Sequence, residues 1–151
     1  MKITIAHALK EKNRLSTEIE QMWRAFQNEN SCLETHKRKI DVKKTLKTIG
    51  QYSSKLVELK TKIGNASSAE HLRNIHLLDE TKNRLAKLAE TDGSEDPEFK
   101  HPDRRIERTA VFNEKMILAM QQQLQSEANH LQDKIDVFNA ETKIDFESPL
   151  A

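Results

Sequence analysis

Residues 32 to 44 read CLETHKRKIDVKK, and they gather the chain's one cysteine, a histidine four positions on, and a run of lysine and arginine. Four kinds of chemistry could use such a stretch: a metal half-site, a Cys/His nucleophile pair, a phosphate-binding patch, or a charged connection between helices. Zinc takes three or four ligands, usually in paired spacings. Beyond Cys32 and His36, the histidines at 7, 71, 76, 101 and 130 form no H-E-x-x-H and no i,i+4 pair. His71 and His76 stand five apart, which turns them to different faces of a helix. A nucleophilic Cys32 would need an orienting third group and an oxyanion pocket, and neither is indicated by the sequence. A cysteine packed as a small apolar residue accounts for Cys32 more simply. With three glycines in the whole chain there is no Gly-rich phosphate loop. The expectation is a protein that is not an enzyme and holds no cofactor or metal.

The basic run is a different matter. Lys37, Arg38, Lys39, Lys43 and Lys44 are candidates for holding an anion, with Arg104, Arg105 and Arg108 as helpers. From Ser31 to Lys62 nine basic residues face three acidic ones, whereas from Glu90 to Asp103 six acids face one lysine. The chain as a whole carries a formal charge of +1, so no global field steers it to nucleic acid. Asp41 and Glu34 interrupt the basic run, and Tyr52 is the nearest aromatic. A solvated connection, balanced in part by the acidic segment, is therefore preferred over a nucleic-acid or anionic-surface site.

What must position these residues is helical. Hydrophobic residues make up 36% of 151, charged residues 32%, aromatics 5%, with three Gly and three Pro. Such a composition suits long helices with thin apolar seams better than sheets. Ile5, Ala8, Lys12, Leu15, Ile19, Met22 and Phe26 step by three and four, predicting a helix over about 2–29. At ~1.5 Å per residue it would be roughly 40 Å long. Trp23 flanks that stripe as a packing residue. Asp41 is a suitable N-cap for a second helix over about 42–63, with Ile49, Tyr52, Leu56, Leu59 and Ile63 on its seam. Gly50 suggests the close approach of another helix, and Gly64 a left-handed C-cap. Ser67 to Glu70 reads as a capping box opening a third helix over about 68–90, and the short loop before it predicts a hairpin of the middle two helices.

Residues 91–103, TDGSEDPEFKHPD, form an acidic loop. RRIERTAVF then alternates weakly and could pair, as a β ribbon, with the 32–40 segment. Asn113 caps a fourth helix over about 113–142, seamed by Ile117, Met120, Leu124, Ala128, Leu131, Ile135 and Phe138, and the tail KIDFESPLA is expected to be loosely held.

The order of these elements resembles a family of small bacterial proteins labelled septicolysin. The points of likeness are the opening AHALKEKNRLSTEIEQM, the break at NENSCLE, the helix end LVELKTKIGNAS, the helix IHLLDETKNRL, the stretch RRIERTAVF and the final helix MQQQLQSEANHLQDKIDVFNAET. The likeness spans nearly the whole chain, through helix rhythm rather than a sharp motif. It implies a helical fold, and the label suggests a thiol-dependent membrane-active protein, for which Cys32 would be the chain's one thiol, although the likeness marks no functional residue to carry over. The helices here have narrow seams and charged backs, which suit water better than lipid.

The fold expected is mainly α: one domain of about four long antiparallel helices with coiled-coil-like seams and a small two-stranded β ribbon. The function expected is that of a non-enzymatic structural or protein-interaction module. It would meet itself, as a homo-oligomer, or another helical protein through Leu15, Ile19, Met22, Phe26, Leu124, Leu131, Ile135 and Phe138. The N-terminus MKITIAHALKEKNR lacks the apolar core of a signal peptide, and no apolar run reaches 18 residues, so a cytoplasmic location is expected.

Overall fold

The computed structural model describes residues 1–150, with backbone alone at 100 and 101. It is mainly helical, and its elements follow in the order β1 Lys2–Thr4, α1 Ile5–Glu29, α2 Val42–Ala66, α3 Ala69–Ala89, β2 Glu98–His101, β3 Arg104–Ile106, α4 Glu114–Glu141 and β4 Lys143–Asp145. The four helices stand where the three-four rhythm placed them. The chain divides into two compact units, one made of Met1–Ser68 with the segment from Asp136 on, the other of Ala69–Ile135.

In the first unit α1 packs on α2. Thr4 caps α1, its hydroxyl accepting from the His7 amide at 3.1 Å. Just before it, β1 pairs antiparallel with β4, setting Ile3 opposite Ile144. Alternation along these two short strands turns both isoleucines inward. They join Ile5, Ala8, Leu15, Leu59 and Phe146 in one buried cluster, against which Tyr52, Leu56, Ile63, Phe138 and Leu150 pack. The tail is thus not loosely held. The Phe146 amide donates to the Met1 carbonyl at 3.0 Å, Lys62 Nζ donates to the Asp145 carbonyl at 2.6 Å, and the Tyr52 hydroxyl reaches the Pro149 carbonyl at 3.5 Å. The Ser148 hydroxyl adds a hydrogen bond that, ahead of Arg14, holds the largely buried Glu11 carboxyl below its ordinary pKa against the opposing cost of burial.

In the second unit Leu78, Ala128 and Ile135 are buried together, with Ile75, Leu85 and Leu131 packed on them from α3 and α4. Asn113 caps α4, Oδ1 accepting from the Met116 amide at 3.0 Å. Gly93 is buried where the acidic loop crosses that helix start. A Cβ there would lie 2.7 Å from the Glu114 nitrogen and 2.8 Å from Ile117 Cδ1, so the close approach requires glycine.

Several expectations are corrected. The 32–40 segment forms no strand, being spent on tying down the end of α1, and the ribbon partner of Arg104–Ile106 is Glu98–His101, inside the acidic loop. A second ribbon, β1–β4, went unforeseen. Gly64 lies within α2 rather than at its C-cap, which is Ser67, and no glycine takes a positive φ. The Ser67 hydroxyl donates back to the Ile63 carbonyl at 3.0 Å, so it closes α2 instead of opening α3. Nothing lies within 4 Å of a Cβ at Gly50, so no helix approaches there. Within the first unit α2 packs on α1, and within the second α3 shares a core with α4.

Candidate functional site

The stretch that carries the cysteine, histidine and basic run is the connection between α1 and α2, residues 30–41. A helix C-terminus leaves carbonyls without intrahelical donors. Arg38 supplies donors here: its Nε gives a hydrogen bond to the Glu29 carbonyl at 2.9 Å and Nη2 one to the Asn30 carbonyl at 3.2 Å. Placing a cation at the negative end of the α1 dipole adds to the effect. His36 Nε2 lies 2.8 Å from Glu29 Oε2. That hydrogen bond, first among the causes, holds the Glu29 carboxyl below its ordinary pKa, while burial opposes and the Lys39 amide and charge assist. At the far end Asp41 caps α2, Oδ1 accepting from the Lys44 amide at 3.1 Å. Both ends of the connection are therefore fixed by side chains of the run itself.

This changes how the run reads. Arg38 is committed to capping α1. Lys37, Lys39, Lys43 and Lys44 are exposed, and Lys37, Lys43 and Lys44 have no ion pair among the described residues. The proposed helpers are partly spent: Arg105 pairs with Glu107 at 2.7 Å, and Arg108 with both Asp92 and Glu98. Cys32 is a half-buried free thiol. With Asn28, Leu33, Thr35 and His36 it lines an open concavity of about 520 Å³. Among the described residues, no group of three His, Cys, Asp or Glu side chains is placed to hold a metal. The arrangement can present cations to solvent from the connection and the first turn of α2, and it can orient one imidazole through Glu29.

Glu29 escaped the sequence reading. Its one signal was a carboxylate ending a helix just before turn formers with a histidine beyond, and nothing periodic links positions 29 and 36.

The eight seam residues fall into two groups. Leu15 is fully buried, Leu124 and Ile135 nearly so, and Leu131 and Phe138 pack against the two core clusters. Ile19, Met22 and Phe26, on the distal half of α1, are half-buried and belong to neither cluster. Trp23 beside them is 37% exposed and meets Phe26 edge to face, ring centroids 5.5 Å apart. Leu46 on α2 and Leu33 in the connection are also exposed.

No protein-family model, curated protein or solved structure matches the chain. Among the described residues, no helix is long and apolar enough to cross a membrane.

Proposed function

We propose that the protein is a non-enzymatic interaction module that meets a second copy of itself, most simply as a dimer, or another helical protein, through the distal half of α1. One observation carries this reading: past Leu15 the α1 seam continues as Ile19, Met22 and Phe26, which are only half-buried, with Trp23 and Leu46 exposed in the same unit. An apolar helix stripe is stable in water only when covered. Aromatic and methionine side chains are also those enriched at the centres of protein interfaces. The septicolysin-like order of elements fits a helical module of this kind and supplies no residue for an activity.

The test is sedimentation of the purified chain beside Met22→Asp. Met22 is half-buried and outside both cores, so the variant should keep its helicity while losing its oligomeric mass. Leu131→Asp would not serve, because Leu131 packs on the second core and its loss confounds unfolding with dissociation. A strictly monomeric wild type at tens of micromolar would sink the self-association reading.

A second reading rests on the exposed lysines at 37, 39, 43 and 44: binding of nucleic acid or another anionic surface at the α1–α2 connection. Counterion release would make such binding fall steeply with salt. A gel shift at about 50 mM salt that disappears in Lys37→Glu/Lys43→Glu supports it, and no shift with DNA or RNA retires it.

A further inference from the structure

We infer that the second unit holds a binding site for a small apolar molecule carrying a single anionic head, such as a medium-chain carboxylate, between the end of α3 and the facing turns of α4. A concavity of about 480 Å³ opens there, its lining drawn from α3, the residues just past it and α4. That volume lies in the range of small-molecule sites. It lies beside the last two turns of α3, where Leu88 lines it together with Met120 and Leu124 of α4. Leu88 and Met120 are half-buried and Leu124 is buried, so the floor is apolar and already walled.

The rim is polar and asymmetric. Arg84 and Lys87, one turn apart on α3, are exposed and have no ion pair among the described residues. Long cationic side chains can lay their methylenes along an apolar floor while keeping their charge at the mouth. The amides of Asn83 and Gln123 line the same mouth. Glu127 on α4 is its one carboxylate, so two cations face one anion and the surplus is a single positive charge. A molecule with a hydrocarbon body and one negative charge satisfies floor and rim together, its head against the α3 wall and away from Glu127. An uncharged body would leave the cations unused, and a compact dianion would leave the floor uncovered. This site lies wholly within the second unit and does not depend on the α1 face.

Titration calorimetry with monomeric decanoate, below its micelle-forming concentration and with no bilayer present, tests the assignment, with decanol as the uncharged control. Decanoate should bind, and decanol about tenfold more weakly, the sum of two exposed charge contacts. Arg84→Gln/Lys87→Gln should weaken decanoate by a similar factor and leave decanol unchanged. Glu127→Gln, which removes the one like charge at an exposed position, should strengthen decanoate binding. The inference is overturned if decanoate gives no binding heat, if decanol binds as well as decanoate, or if neither variant moves the decanoate affinity.

Discussion

Phe146→Ala strikes the place where both termini are joined. Phe146 is 3% exposed and is the single aromatic among the seven buried residues of the first core. Its amide is bonded to the Met1 carbonyl, and Lys55 Nζ stands 5.9 Å from its ring centroid. Truncating a buried Phe to Ala costs about 3–5 kcal/mol, the sum of lost transfer energy and the cavity left behind. A cation over the ring adds about 0.5–1 kcal/mol where it is partly exposed, which is small beside the cavity. The backbone bond to Met1 survives the substitution, so the loss should lie within the Phe→Ala range rather than above it. For a chain of this length each kcal/mol lowers Tm by about 2–4 °C, giving a fall of about 6–20 °C. Urea unfolding followed by far-UV circular dichroism measures the free energy directly, and Phe146→Leu, which keeps most of the volume, should lose less than half as much. A Phe146→Ala variant within about 1 kcal/mol of wild type would refute the buried tail and, with it, the β1–β4 clasp as a structural element.

Gly93→Ala places a Cβ 2.7 Å from the Glu114 nitrogen and 2.9 Å from the Asn113 carbonyl carbon, both backbone atoms, so it should destabilise by about 1–3 kcal/mol, measured by thermal melting. Glu29→Gln removes a carboxylate whose folded pKa is depressed, chiefly by His36; the stability it contributes is present above the reference value of 4.5 and lost as pH falls through the lower folded value. The stability gap between wild type and Glu29→Gln should therefore be full at pH 7 and close in acid, and a gap independent of pH would contradict the Glu29–His36 link. His71 is 5% exposed, and burial pushes its pKa below 6.5, so the unfolded chain binds a proton more readily than the folded one. Stability should fall as pH drops below 6.5, and His71→Gln should flatten that slope in a pH series of urea midpoints.

How far such features can be read from a sequence depends on the distance over which each one is encoded. The helices are encoded locally. Leu15 and Leu59, or Leu78 and Ile135, fall on three-four steps that any window of a dozen residues reveals, and Asp41 and Asn113 announce their helices by residue type alone. The β1–β4 clasp is the opposite case. KIT and KID each offer one isoleucine between polar neighbours, too little for a period, and their pairing joins positions 3 and 144. Only the requirement that α1 and the end of α4 share a core brings them together. Glu29 and His36 fail for the same reason at shorter range, since a turn without periodicity separates them. The seam shows a third limit. Leu15 and Phe26 occupy equivalent positions of one stripe, yet one is sealed and the other half-open, because where a neighbour stops covering a helix is set by that neighbour's path and not by the stripe. The same holds for the concavity over Met120 and Leu124, which lies beside the last two turns of α3. A stripe tells which side chains need cover; the partner helix's length and direction decide which of them are left to bind something else.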